Sequence, residues 1–404
     1  MYNLLIKISE FIILCISPFS KKINKGIIGR RNSFSLLKSS FSKDDKIIHV
    51  HCSSYGEYLM SENLIKKLKN KFEDHKILLS FISPSGFENV KKNKFECVIY
   101  LPTDTSNNCK KFYEIISPNI TLFMKNEVWP NFIKYAKKSG SKTYSIGGNF
   151  KANKLKRFFG IYQSMKKFDR IFVLNKSSKK ILNRIDKKKI TVIRDLRFDS
   201  DIPSLSIGFK KIIERFIDGK QCIVFGSTWK EDEKLAVKFI TESKRNIKYI
   251  IAPHEISNNC HRLKQSLEKK AVLFSELMSA KNFNKYSCLI VDNVGMLSSL
   301  YSFGTIAYVG GGLGKKGLHN TIEPAHFSKP IIIGNNFENF DEAEEMIKNG
   351  GMLSISNYDD FYNKIEKIIA NKKIIEKMSR LNNEYYLSKK GAVETVLDII
   401  NQDF

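Results

Sequence analysis

Residues 305–325 read TIAYVGGGLGKKGLHNTIEPA, a short apolar run that breaks into glycines and closes on Glu323-Pro324-Ala325. The run 305–309 has the length and branching of a buried strand. Gly310, Gly311, Gly312 and Gly314 let a backbone approach a phosphate closely, and amides at the following helix start point toward it. Glu323 is placed to accept hydrogen bonds from a ribose diol. The loop is not a P-loop, because G-x-x-x-x-G-K-[ST] is absent. It is a poor dinucleotide fingerprint too, since it comes near the end of a strand series and not at its start.

Working outward, short apolar runs alternate with longer amphipathic stretches from Lys46 onward. Strands are predicted at 47–52, 77–82, 97–101, 120–124, 143–146, 171–174 and 190–193. A helical pattern fills 58–70, where Leu59, Leu64, Ile65 and Leu68 recur near helical spacing. The alternation pauses over the polar stretch 195–210 and restarts with strands at 221–226, 249–252, 287–291, 305–309 and 330–333. Two such series predict two parallel, doubly covered α/β sheets, that is, two Rossmann-like domains facing a central cleft. A last helical pattern, 359–403, runs back across the hinge. The expected division is 1–40, 41–200 and 201–404. The length of 404 residues fits two domains of roughly 180–200 residues each.

Composition excludes several classes. With 12% aromatic residues and 9 prolines the chain is neither disordered nor collagen-like. Seven scattered cysteines with no C-x-x-C pair read as reduced thiols, not as a disulfide frame or zinc site. Lys and Arg outnumber Asp and Glu by 68 to 41, a net charge of +27. Nucleic acid, an anionic membrane and a polyanionic substrate would each favour that excess, and a Lys-, Asn- and Ile-rich composition supplies it without any partner. Residues 2–19 are mostly apolar, interrupted by Lys7 and Glu10. The uninterrupted run from Phe11 to Ile16 falls short of the roughly 20 residues that span a bilayer. With Lys21, Lys22, Lys25, Arg30 and Arg31 behind it, the segment reads as a one-sided anchor on an anionic leaflet, or as a helix packed on the protein itself.

Four other loops carry more chemistry than a buried strand end needs. Ser53-Ser54-Tyr55-Gly56-Glu57 opens a helix, where the dipole favours an ionised Glu57; a helix-start Glu is equally a structural device. Ser83-Pro84-Ser85-Gly86 offers hydroxyls and amides to an anion, or is an ordinary cap. Asn126-Glu127-Val128-Trp129-Pro130-Asn131 holds a second carboxylate and one of the two tryptophans. Gly226-Ser227-Thr228-Trp229 is a further strand-to-helix turn. His49 and His51 share one strand face without a third ligand in reach, and read as core or cleft-wall residues.

Taken in order, these motifs resemble the transferases of 3-deoxy-D-manno-oct-2-ulosonic acid (Kdo). Ser54-Tyr55-Gly56-Glu57 matches the family's S-x-G-E, Pro84-Ser85-Gly86 its P-T-G turn, and Tyr100-Leu101-Pro102-Thr103-Asp104 its Y-L-P-x-D. Glu127-Val128-Trp129-Pro130-Asn131 matches E-x-W-P-N, Ser227-Thr228 an S-T turn, and the glycines with His319-Asn320 and Glu323-Pro324-Ala325 the nucleotide loop. The resemblance covers about residues 45–355. It implies a GT-B fold and an inverting transfer of Kdo from CMP-Kdo to a lipid A precursor (lipid IVA), with no metal and no cofactor. Glu57 would be the base, and Glu127 would sit beside the acceptor or the transferred sugar. Ser227, Thr228, His254, Gly310, Gly311, Gly312, His319, Asn320 and Glu323 would hold the donor, and Ser54, Gly56, Ser85 and Gly86 the acceptor. Residues 41–200 would then bind the acceptor and 201–404 the CMP-sugar. The implied setting is the cytoplasmic face of a bacterial inner membrane, held peripherally or by one amino-terminal anchor, with that anionic surface as partner and no nucleic acid. Two departures touch donor contacts: Pro253-His254-Glu255 stands where the family often has Pro-Arg-His, and Gly295-Met296 where it has Gly-Glu. The alternatives are a GT-B transferase or epimerase using another nucleotide sugar, or a basic nucleic-acid-binding protein.

Overall fold

The computed structural model describes residues 2–151, 161–279, 283–338 and 340–404. The chain divides into two compact units, Met1–Asp201 with Lys390–Phe404, and Ile202–Lys389.

The first unit is built on seven strands: β1 (Lys46–Cys52), β2 (His75–Phe81), β3 (Cys97–Tyr100), β4 (Ile120–Met124), β5 (Lys142–Gly148), β6 (Arg170–Val173) and β7 (Ile190–Val192). All pair in parallel, in the order β3-β2-β1-β4-β5-β6-β7. Helices cover both faces, so the strands are buried on both sides and read as nearly continuous apolar runs. In β1 the residues alternate between two cores: Ile48, Val50 and Cys52 join one, Ile47 the other. His49 and His51 share the face of Ile47.

The second unit repeats the architecture with β8 (Cys222–Thr228), β9 (Lys248–Pro253), β10 (Ala271–Leu273), β11 (Cys288–Ile290), β12 (Ile306–Val309), β13 (Ile331–Gly334) and β14 (Met352–Ile355). Their order is β10-β11-β9-β8-β12-β13-β14, again all parallel. The strand order reverses between β1 and β4 in the first sheet and between β8 and β12 in the second, whose edge pair β10-β11 is also out of sequence. Such switch points are where loops diverge and ligands enter.

Two strands escaped the periodicity, β10 and β14. Both are edge strands of three or four residues, and β14 (MLSI) is only partly buried, so neither has an apolar run long enough to stand out. The helix predicted from residue 58 begins at Tyr55, because Ser54 caps it by accepting a hydrogen bond from the Glu57 amide. The terminal pattern divides into helices Tyr358–Ile369, Lys372–Lys389 and Ala392–Asp403. Gly391, at φ +103°, makes the left-handed turn before the last of them.

That last helix belongs to the first unit. Ala392, Val393, Val396 and Ile400 join its core, and Arg170 grips Asp403 with two nitrogens. The amino-terminal helix Tyr2–Ile16 runs into a tight turn at Ser17–Phe19. Together they form an 18-residue stretch of mean hydropathy 1.5, none of it buried, long and apolar enough to cross a membrane. Counting only uninterrupted apolar residues understated that length. The helix Lys21–Ser40 does not stand apart with the apolar segment as the 1–40 division expected. It packs on β3: Leu37 is fully buried, and the buried Ser33 donates 2.7 Å to the Tyr100 carbonyl. Its basic residues Lys21, Lys22, Lys25 and Arg31 stay exposed.

Asp199 caps the last helix, accepting from the amides of Gly391 (2.8 Å) and Val393 (2.9 Å). Replacing Asp199 with Ala should cost about 1–2 kcal/mol. Denaturant unfolding checks this; an unchanged midpoint would remove Asp199 from the account of how that helix is held.

Candidate active site

In the first unit the loops after β1 and β4 flank the switch point and each brings a carboxylate. Glu57 lies in the first turn of helix Tyr55–Lys71, and its Oε2 accepts 2.6 Å from the Ser53 amide. Glu127 follows β4 through Lys125, whose φ of +56° turns the chain. The Ser53 hydroxyl and the Glu57 charge both act on Glu127. Burial holds both carboxyls above the usual glutamate range, outweighing the Ser53 amide and Lys125 for Glu57, and the Ser53 hydroxyl for Glu127. The helix dipole, expected to favour ionised Glu57, loses to desolvation. The Glu57 charge adds to burial in raising the proton affinity of Glu127.

Beneath them lies a buried polar chain. Ser80 Oγ is 2.8 Å from His49 Nε2 and 2.9 Å from His51 Nδ1, and His51 Nε2 lies 3.9 Å from Glu127 Oε2. Both rings are fully buried and neutral, His51 pushed down to about 3 by desolvation. A single hydroxyl proton allows two orders of hydrogen bonds. One leaves an orphaned N–H on His49, the costlier defect. The other runs from His49 to Ser80 to His51 and directs the His51 N–H at Glu127. Among the described residues no cluster of three His, Cys, Asp or Glu is placed to hold a metal.

The remaining first-unit residues gather on neighbouring loops. The Ser83 amide donates 2.9 Å to the Ser53 carbonyl, tying the loop after β2 to that after β1. Ser83 caps the short helix Pro84–Asn89, and its hydroxyl lies 3.0 Å from that of Ser85. Gly86 is required by packing, since a Cβ there would meet the Phe81 ring at 2.1 Å, whereas Gly56 faces open space. Asp104 and Asn131, read as family motif residues, are structural: buried Asp104 accepts from the amides of Asn131 and Phe132 and from the Tyr2 hydroxyl at 2.6 Å. That arrangement fixes Trp129, whose ring meets His51 edge-on at 6.2 Å. On its other side Trp129 helps line a cavity of about 590 Å³ with Ile13, Leu14, Ile27, Phe34 and Leu101, and with Arg30 and Arg31 among its walls. Arg30 is held by the carbonyls of Ile82 and Leu101.

In the second unit, buried Asp232 organises the switch point. Its carboxylate accepts from the amides of Trp229 and Gly311, both at 2.9 Å, and from the Tyr308 hydroxyl at 2.6 Å. The chain therefore folds tightly over itself: a Cβ at Gly310 would lie 2.5 Å from the Ser227 carbonyl, and one at Gly311 (φ +92°) 2.1 Å from that of Gly317. At these two positions the protein's own backbone already demands glycine. Ser227 takes a left-handed φ of +50° at a bulge, and the Thr228 hydroxyl is buried without a partner. The Trp229 ring stacks on His254 at 4.6 Å and donates 2.7 Å to His319, which stacks on His254 at 4.4 Å. Burial and His254 push His319 down to about 4, so it is neutral and free to accept. Asn320 bridges the loop to the next helix, accepting from the Ile322 amide and donating 3.2 Å to Glu323. Burial raises the Glu323 carboxyl against help from Ser298 and Asn320.

The sequence-predicted residues thus form two clusters, one per unit. Sequence reading missed Asp232 and Trp229 as organisers of the second. Their signal was present, a tryptophan directly after the Ser-Thr turn and an acid three residues later.

Two Rossmann-like units with polar loops gathered at their switch points define a GT-B fold. A crystal structure of a glycosyltransferase from Rickettsia africae ESF-5 superposes over 89% of this chain and 99% of its own, with a TM-score of 0.58 at 16% identity. Residues 29–200 match the family profile of 3-deoxy-D-manno-octulosonic-acid transferase (kdotransferase). The 3-deoxy-D-manno-octulosonic acid transferase of Aquifex aeolicus (strain VF5) is 27% identical over 88% of this chain and 97% of its own length. A bifunctional glycosyltransferase/methyltransferase of Fusobacterium nucleatum is also 27% identical, over 99% of this chain, which spans 64% of that relative's length. Over most of its length the chain is thus similar to Kdo transferases, and residues 29–200 match their family profile.

Replacing Asp232 with Ala would orphan three buried donors and should cost about 3 kcal/mol of stability. Calorimetric unfolding reads the effect; an unchanged midpoint would show that the loop holds its shape without Asp232.

Proposed function

We propose that this protein moves Kdo from CMP-Kdo onto a lipid A precursor in lipopolysaccharide biosynthesis, by direct inverting displacement without a metal ion. The observation that carries the reading is the half-buried pair Glu57 and Glu127 around Ser53 at the switch point of the first sheet. A primary hydroxyl of the acceptor's glucosamine attacks the anomeric carbon of Kdo, and Glu57 takes its proton as the glycosidic bond to CMP breaks. Glu127, 3.9 Å from His51 Nε2, hydrogen-bonds the acceptor or the transferred sugar. CMP departs with its phosphate on the amides of the glycine loop, which offset the developing charge. The partnerless Thr228 hydroxyl is a ready donor to that phosphate, and Asn320 and Glu323 hold the ribose.

The acceptor is a phosphorylated lipid, and the first unit has features to match. Ser54, Gly56, Ser85 and Gly86 form the polar floor. The apolar cavity beside Trp129 takes an acyl chain, with Arg30 and Arg31 for phosphate. The exposed apolar helix and the cations of Lys21, Lys22 and Lys25 hold the protein to the anionic cytoplasmic leaflet of the inner membrane.

Purified protein incubated with CMP-Kdo and a tetra-acylated lipid A precursor should raise the lipid mass by one or more Kdo units. Glu57→Gln should bind CMP normally yet lose about 10²–10⁴-fold in turnover. A folded, CMP-binding wild type that leaves the lipid unchanged would reject the substrates, and an active Glu57→Gln would reject the base. The base must be ionised, and burial raises its proton affinity, so turnover falls as pH drops through a value above the ordinary glutamate range. An acid limb at or below that range in a pH–rate profile would contradict burial as the control.

A further inference from the structure

The carboxyl ends of the second sheet carry the donor loops; its amino ends carry something else. At the amino ends of β8, β9, β10 and β11 the chain presents Lys220, Lys248, Lys269, Lys270 and Lys285 around a concavity of about 320 Å³, with Arg245 beside them. Among the described residues no Asp or Glu lines it, although the whole chain has 41 acids to 68 bases. At that ratio six bases would bring about four acids with them, so general basicity does not explain the concavity.

Lys248 is the telling residue. It is only 2% exposed, its stem lies on Phe216 with the ammonium 4.6 Å from the ring centre, and its one hydrogen bond runs 2.5 Å to the Tyr286 carbonyl. Among the described residues it has no ion pair. Desolvation and then the Lys220 charge lower its proton affinity, and Asp218, the acid acting on it, offsets less than Lys220 removes. Of the six bases only Arg245 is neutralised, by Glu366; Lys270 is tied to the carbonyls of Ile240 and Thr241. A buried ammonium without a counter-charge is costly unless something anionic joins it. A phosphate group brings charge and several acceptor oxygens, which suits clustered ammonium donors. Six or seven residues of strand separate this concavity from the Ser227-Thr228 turn and His254, roughly 20 Å at about 3.3 Å per residue.

We propose that the second unit carries an anion site at the amino edge of its sheet, built around Lys248, that takes a phosphate-bearing anion and is separate from the donor site. The chemistry is shared by a free polyphosphate and by the headgroup of an anionic phospholipid, so the test has two arms. In the first, the full chain, saturated with CMP to fill the glycine loop, is titrated with pyrophosphate by calorimetry. In the second, its partition onto vesicles of phosphatidylglycerol in phosphatidylcholine is measured. Each arm compares wild type with Lys248→Met and with the combined Lys220→Ala, Lys269→Ala and Lys285→Ala variant, which leaves the core untouched.

The expected result is one pyrophosphate per chain, bound at least tenfold more weakly by both variants, and a wild-type Tm that pyrophosphate raises while that of Lys248→Met stays flat. A tenfold loss confined to the vesicle arm supports the site and identifies the lipid headgroup as its source. A loss confined to pyrophosphate identifies a soluble anion. Wild type and the triple variant behaving alike in both arms overturns the proposal.

Discussion

A parallel sheet whose connections change direction leaves one gap that its own loops cannot close. Strands on either side of that point send their chains away from each other, and the space beyond their carboxyl ends stays open. In this protein both sheets reverse beside their central strand, β1 against β4 and β8 against β12. Every candidate catalytic or donor-binding group follows from that constraint. Glu57 and Glu127 stand on the two chains that part in the first unit, and the Ser-Thr turn and glycine loop stand on those that part in the second. Because both faces of each sheet are covered, these loops form over an apolar interior, and the polar groups they bury must find partners close by.

Desolvation sets the character of the groups placed there. A helix start and a nearby lysine favour the charged form of Glu57, yet burial moves it the other way. Asp232 shows the same balance: three hydrogen bonds stabilise its charge, and burial still raises its carboxyl. The histidines complete the pattern from the basic side, His51 and His319 being kept neutral by their surroundings. The two clusters therefore hold carboxylates that take protons easily and imidazoles that do not, and this division makes a carboxylate the natural base.

Most of this was legible in the residues, to different depths. The central strands announced themselves because burial on both faces forces continuous apolar runs, whereas β10 is only three residues long and β14 is only partly buried. The Ser-Tyr-Gly-Glu and Glu-Val-Trp-Pro-Asn motifs pointed to loops that flank the switch point of the first sheet, since a strand end followed by a helix start is a local event. What escaped was non-local. Nothing near Asp232 in sequence says that Tyr308 and Gly311 will donate to it, and nothing near His51 says that Ser80 will link it to His49. The reason for Gly310 and Gly311 shifted as well, from room for a ligand to room for the chain's own carbonyls. The helix Lys21–Ser40 did not show its seat on β3 because exposed cations dominate its composition and only Gly26, Ser33 and Leu37 along it are buried.

The placement of the last helix has a consequence for how the chain is made. Residues 202–389 are, topologically, an insertion within the first unit, whose core is finished only when Val393, Val396 and Ile400 arrive. During synthesis from the amino end, the second unit is complete before the first can be. Until then, the apolar surface of Leu64, Ile65 and Leu68 lacks part of its cover. The first-made half of the protein is thus the last to be finished, and its newly made sheet depends on a segment more than 300 residues downstream of β1.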